Sequence, residues 1–166
     1  MTCMNDTPDA GMWYALNRLE TNYWWDVDLN GGRNAHEFYL PDGLYTVGNN
    51  RFAGHDKIRA FYAWRARRGP TTARHLINNL LVFATDDRHA RIVAVLSLFR
   101  AKGRPPIQGT LSPCLIADVF GECVCGEDGT WRYRSHMVKP VFVGSDIPLS
   151  LSIDGQLLSN RGERTT

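Results

Sequence analysis

A chain of 166 residues, 43% hydrophobic and 22% charged, has the composition of one soluble globular domain that can bury a core without disulfides or metals. Its net charge of +2, with bases interleaved among acids, lacks the electrostatic footprint of a nucleic-acid binder. No stretch approaches the roughly 18 apolar residues of a membrane span, and acids at Asp6 and Asp9 stand where a leader would carry bases, so the chain reads as cytoplasmic.

From about Pro8 to Leu29, Trp13, Leu16, Leu19, Tyr23 and Val27 recur at three- and four-residue steps, which predicts an amphipathic helix closed by Asn30-Gly31-Gly32. A second, shorter helix is expected over Asn34 to Leu40, stopping at Pro41-Asp42-Gly43. Leu44 to Val47 reads as a short strand followed by a turn at Gly48-Asn49-Asn50, and Gly54-His55-Asp56 opens a third helix carrying Ile58, Phe61, Tyr62 and Trp64. Lys57, Arg59, Arg65, Arg67 and Arg68 on that helix read as a solvated face, because cations near the last turn complement the helix dipole.

After Gly69-Pro70 the pattern becomes that of long strands, about 73–85 and 90–102 around Asp86-Asp87-Arg88. A loop with Pro105-Pro106 and Ser112-Pro113 follows. Strands at about 115–125 and 131–143 then flank the hairpin turn Gly126-Glu127-Asp128-Gly129. Cys3, Cys114, Cys123 and Cys125 lack the spacing of a zinc or redox site and read as free thiols, with no metal site expected. In the tail, Pro148, Leu149, Leu151 and Ile153 suggest that its first part packs.

Helices followed by long antiparallel hairpins predict an α+β fold in which a curved, mostly antiparallel sheet wraps over three N-terminal helices and encloses a pocket. One domain spans 1–166, with a core at about 10–143 and a C-terminal extension at 144–166. Trp24, Trp25, Phe38, Tyr39, Tyr45, Phe99 and Phe120 are suited to line an apolar pocket.

The order of Val27-Asp28 ending the first helix, Gly54-His55-Asp56-Lys57-Ile58 opening the third, Arg74-His75 with Asn79, and Asp128-Gly129-Thr130-Trp131-Arg132-Tyr133 resembles the nuclear transport factor 2-like superfamily. Its SnoaL-like branch contains polyketide cyclases, scytalone dehydratase and hexachlorocyclohexane dehydrochlorinase. The resemblance covers about residues 10–143 and implies a cone-shaped α+β barrel. In the dehydratase and the dehydrochlorinase, an aspartate ending the first helix and a histidine beginning the first long strand form a catalytic dyad. Matched by position, these are Asp28 and His75. The dehydratase has a second catalytic histidine on the next strand, where Ile92 to Arg100 holds none. The dehydrochlorinase adds a late arginine, for which Arg100, Arg132 and Arg134 are the options.

A neutral imidazole takes a proton on one nitrogen when a carboxylate accepts a hydrogen bond from the other, fixing the tautomer and stabilising the imidazolium. Asp28 would orient and His75 would accept the proton, with ordinary pKa values already suitable and no cofactor required. Asp26 competes with Asp28 for the acid role. Strand alternation places His75, Ile77, Asn79 and Leu81 on one face, so Asn79 could bind a substrate oxygen. Tyr45 could protonate a leaving hydroxyl or be a core tyrosine. Trp24, Trp25, Arg100, Phe120 and His136 complete the expected binding wall, whereas His55 reads as a helix-entry residue and His36 and His89 as superficial.

These residues point to a cofactor-independent lyase or dehydratase acting on a hydrophobic, aromatic small molecule. A dehydrohalogenase, a carbon–carbon lyase that releases formaldehyde, an isomerase or a cyclase would use the same base. A non-catalytic protein like a dioxygenase β subunit is the rival of another class. A homodimer or homotrimer is expected, since the sheet's outer face needs covering. The enzyme reading requires His75 and Asp28 to meet at roughly 2.6–3.2 Å within a closed apolar pocket. A pocket filled by Trp and Phe side chains would oppose it.

Overall fold

The computed structural model describes residues 8–109, 111–144 and 149–151. Helix α1 (Ala10–Leu29) leads through a single 3-10 turn (Ala35–Phe38) into strands β1 (Tyr39–Val47) and β2 (Asn50–Ala53) and then helix α2 (Gly54–Ala66). Four long strands follow: β3 (Thr71–Asp86), β4 (His89–Lys102), β5 (Leu115–Cys125) and β6 (Trp131–Val143). A short 3-10 turn at Leu149–Leu151 ends the described chain. Among the described residues no helix is long and apolar enough to cross a membrane.

The six strands form one mixed sheet in the order β2-β1-β6-β5-β4-β3. Every pairing is antiparallel except β1 with β6, which is parallel. β2 and β3 are edges, so the sheet is open rather than a closed barrel. Helix α1 packs against β3, and α2 packs against β1 and the first 3-10 turn.

Two α-helices stand where the sequence suggests three. The segment read as a helix over Asn34 to Leu40 is one 3-10 turn, because so few residues cannot offset the cost of nucleating an α-helix. Pro41-Asp42-Gly43, read as a stop, lies inside β1, where the register with β6 shifts between Tyr39 and Leu44.

The C-terminal end of α1 is seated by two side chains. Asp26 accepts from Asn30 Nδ2 at 2.6 Å and from the Asn34 backbone N–H at 3.1 Å, tying down the turn that leaves the helix. Gly32, at φ +74°, lies so close to the Tyr62 ring that a Cβ there would stand 2.2 Å from a ring carbon. That close approach docks α2 onto the end of α1.

The alternation expected through Asn79 fails at a bulge. Asn78 pairs with Val95 but Leu81 with Val93, so β3 carries one extra residue, and Asn79 adopts the left-handed φ of 54° that asparagine tolerates. Beyond it the inward positions move from odd to even numbers: Leu80 is partly buried and Val82 is buried, while Asn79 and Leu81 are exposed. The core between helices and sheet is aromatic, with Tyr23, Tyr39, Phe61, Tyr62 and Tyr133 all buried. Cys114 and Cys123 are buried and Cys125 is partly buried, while Cys3 lies outside the described residues.

Candidate functional site

Glu20, Trp24 and Asp28 recur at four-residue steps and so share one face of α1, the face turned inward. Asp28 reaches the edge strand β3, whose outward N–H groups have no strand partner. The His75 backbone N–H donates to Asp28 Oδ2 at 2.7 Å, and the ring Nδ1–H donates to Oδ1 at 2.6 Å. Both side chains are nearly inaccessible, at 5% exposure for His75 and 6% for Asp28. Because the carboxylate accepts at Nδ1, the proton sits there and Nε2 carries the lone pair. Nε2 has no hydrogen-bond partner among the described residues.

The indole of Trp24 stacks on the imidazole, 4.3 Å between centroids and 18° between planes. Trp24 Nε1–H donates to Glu20 Oε2 at 2.8 Å. Glu20 Oε1 lies 3.0 Å from His136 Nε2, though without the in-line geometry of a hydrogen bond. The Tyr39 hydroxyl lies 3.0 Å from His136 Nδ1, and the Tyr133 ring stacks on His136 at 4.3 Å. A buried polar chain thus runs from the sheet through α1 to the ring of His75.

Burial pushes the His75 pKa below 6.5 by disfavouring the charged ring, while the bond to Asp28 and its charge oppose that shift. The positive charges of Arg65 and Arg100 push the same way as burial. Ordinary pKa values are therefore not the whole account: the site holds the ring neutral, the form that accepts a proton. The Tyr45 hydroxyl is raised above 10 by burial, partly offset by Arg65, and so stays protonated and able to donate.

His75 opens on a small cavity lined also by Trp24, Tyr45, Arg65, Arg100 and Ser150, with Val47, Leu96, Leu98, Leu115 and Val138 as its apolar wall. Its free volume is about 20 Å³, space for one water. A larger molecule enters only if side chains in the wall move. Ser150 is held at the cavity by its carbonyl, which accepts from Asn50 Nδ2 at 2.9 Å. Leu151 packs against the core, as expected for the first part of the tail, while Pro148 and Ile153 lie outside the described residues.

Of the residues expected around the base, Trp24, Tyr45 and Arg100 line this cavity with His75. Trp25, next in sequence to Trp24, points away and is 55% exposed. Asn79 is carried off by the bulge. Phe120 lines a groove of about 590 Å³ on the opposite face of the sheet, with Phe83, Arg91, Glu122 and Met137. His136 is fully buried in the Glu20–Tyr39 network and is not part of the cavity wall around His75.

Sequence reasoning misses Arg65 and Glu20. Arg65 resembles one more member of a solvated basic face, and the signal that separates it is the four-residue step from Phe61 that turns it inward. The signal for Glu20 is its spacing from Trp24 and Asp28. The remaining histidines sit elsewhere: His55 Nε2 bonds the Tyr39 carbonyl at 2.9 Å, His89 Nδ1 bonds Asp86 at 2.9 Å, and His36, expected at the surface, is largely buried against the His55 ring. Among the described residues no three side chains cluster as metal ligands.

No protein-family model matches the sequence. No curated protein matches it either. Solved structures do. Aln2 from a Streptomyces species is 15% identical with a TM-score of 0.69, covering 80% of this chain and 93% of its own. A scytalone dehydratase-like protein from Novosphingobium aromaticivorans is 15% identical with a TM-score of 0.65, covering 81% and 87%. A protein from the same organism, assigned as the β subunit of an aromatic-ring-hydroxylating dioxygenase, is 14% identical with a TM-score of 0.67, covering 81% and 92%. These likenesses show the fold alone: this chain shares its architecture with these three proteins.

Proposed function

We propose that this protein is a cofactor-independent lyase of the dehydratase type, acting on a hydrophobic, aromatic small molecule with His75 as general base. The observation that carries the reading is the pair of bonds from His75 to Asp28, which fix ring orientation and tautomer together and leave Nε2 to take a proton. Trp24 backs the ring and the aliphatic side chains of the wall leave space for no more than one water, so the base would meet its substrate in a largely desolvated site. Tyr45 supplies the proton for a leaving hydroxyl. Isomerisation or cyclisation would begin with the same proton abstraction and differ in where the released electron pair goes.

One observation favours a non-catalytic reading, that of a binding or subunit protein. The free space beside His75 has room for only a single water, while the larger groove is on the outer sheet face. That face exposes Leu81, Phe83 and Met137, and a second copy covering it would make the homodimer or homotrimer expected from the sequence.

The two readings separate without knowledge of the true substrate. The protein is incubated in D₂O with a panel of aromatic ketones and alcohols, and the loss of C–H signals is followed by NMR. The base reading expects exchange or elimination of at least one member by the wild type and none by His75→Ala. Exchange that survives in His75→Ala, or is absent throughout a broad panel, removes the enzyme reading.

A further inference from the structure

Two guanidinium-bearing side chains enter the cavity beside His75, Arg65 from the last turn of α2 and Arg100 from β4, alongside Tyr45 and Ser150. Both lie close enough to His75 for their charges to disfavour its protonation. Arg65 is held by aromatic rings: its guanidinium carbon stands 5.4 Å from the Tyr62 centroid and 5.9 Å from that of Phe61. No carboxylate pairs with Arg65 among the described residues. The acid of the site, Asp28, has one oxygen on each N–H of His75.

A guanidinium steadied on ring faces, partly withdrawn from water and without a carboxylate, is a ready partner for a planar oxyanion, to which it can donate two parallel hydrogen bonds. A charge left partly desolvated without a counter-ion is unfavourable, and a bound anion relieves that cost.

We infer that Arg65 and Arg100 form an oxyanion subsite facing His75, and that the ligand is an aromatic molecule carrying a carboxylate or an acidic phenol. The inference rests on the base reading and narrows it: the anionic oxygen lies against the guanidiniums while a C–H of the same molecule faces Nε2. When His75 takes that proton, the C–H bond breaks and the N–H bond forms. With that C–H on the carbon beside a carboxylate, the electron pair moves into the carboxylate as an enediolate whose oxygens the arginines hold; a phenolate, which has no carbonyl to take the pair, is a binding ligand only. Return of the pair expels a hydroxyl on the neighbouring carbon, which leaves as water with the proton of Tyr45, and the proton taken by His75 goes back to the Tyr45 oxygen. The apolar wall stacks the ring. Arg65, partly exposed at its helix end, has the length to move aside as the ring enters and to close on its oxygen.

The test is a binding measurement on the full chain with matched probes, benzoate against benzamide and 4-nitrophenolate against 4-nitroanisole, at pH 8.5, where both acids are ionised. It is read from the Trp24 indole N–H and His75 ring resonances. Each anion is expected to move these resonances and to bind about tenfold or more tightly than its neutral partner, as charge-assisted hydrogen bonds require. Arg65→Met should remove most of that preference and Arg65→Met/Arg100→Met all of it. Arg67→Met, just past the end of the same helix and exposed, should leave it unchanged. Persistence of the His75 Nδ1–H resonance, hydrogen-bonded to Asp28, checks that each variant keeps the site. Equal affinities, no movement of either resonance up to the solubility limit, or a preference that survives the double variant would overturn the subsite. A preference for one anion pair alone selects carboxylate or phenol. The readout is binding, so failure of the D₂O exchange test with this preference intact would remove the base and leave the subsite standing.

Discussion

Asp28 places one carboxylate oxygen on the ring of His75, at 2.6 Å, and the other on its backbone N–H, at 2.7 Å. The second bond anchors the edge strand to the helix, so the acid that orients the ring also fixes where the strand begins. Asp28→Asn therefore tests two things at once. An amide keeps the volume but turns one of the two acceptors into a donor, which opposes an N–H of His75. Proton-exchange activity is expected to fall by about 10² or more, the scale of a lost acid–base contribution. Stability should drop by about 1–3 kcal/mol, the cost of leaving a buried donor unsatisfied. Urea denaturation and the D₂O assay measure the two separately, and unchanged activity in a folded variant would remove Asp28 from the reaction.

The depressed pKa of His75 sets the pH dependence. Above 6.5 the ring is neutral in both the folded and unfolded chain and contributes no pH dependence to stability. Between 6.5 and its lower folded value, the unfolded chain binds a proton that the native chain does not. Stability should therefore fall as the pH drops through that window and level off below it. The acid limb of activity should have its midpoint below 6.5, where the folded ring loses its lone pair. A midpoint above 6.5 would mean that Asp28 outweighs burial. Chemical denaturation at stepped pH, and the pH profile of the exchange rate, measure both.

The dyad is accessible from sequence because its order along the chain matches a known arrangement and because the ends of α1 and β3 are marked by Asn30-Gly31-Gly32 and Gly69-Pro70. Proximity to the helix end does not decide between Asp26 and Asp28. The choice comes from the four-residue stripe of Glu20, Trp24 and Asp28, while Asp26 is turned to the loop it ties down. Asn79 is misplaced by strand alternation, which holds only until a bulge. The Asn78-Asn79 pair, suited to a left-handed residue, is the available sign of one. The parallel pairing of β1 with β6 joins strands roughly 90 residues apart, and no local pattern carries that information.

Trp24 links His75 to the buried network, and its removal should be visible at the imidazole. With the indole gone, water reaches the imidazole and the desolvation that lowers its pKa weakens. Trp24→Leu should raise the NMR-observed His75 pKa towards 6.5 and shift the acid limb of activity with it. Glu20→Gln keeps an acceptor for the indole N–H and should leave the His75 pKa close to that of the wild type. Glu20→Leu strands that N–H in the core and should cost about 1–3 kcal/mol of stability. If Trp24→Leu leaves the His75 titration unmoved, the stacking is packing alone.

The relative placement of α1 and α2 decides whether Arg65 reaches the cavity that Asp28 and His75 build, and Gly32 holds that placement. An added methyl at Gly32 would overlap the Tyr62 ring, which stands 2.2 Å from the ideal Cβ position, and would also have to adopt φ +74°. Gly31 shares the positive φ, at +68°, but a Cβ there meets nothing within 4 Å. Gly31→Ala should therefore lose only the backbone preference, about 1–2 kcal/mol. Gly32→Ala should lose about 1–3 kcal/mol more from overpacking, because Tyr62 can yield only by breaking its 2.6 Å bond to the Tyr23 hydroxyl. A displaced Tyr62 carries with it the ring that supports Arg65. Gly32→Ala should then weaken benzoate binding at temperatures where the variant is still folded, and Gly31→Ala should not. Equal losses of stability in the two variants would show that the close approach of Tyr62 does not position α2.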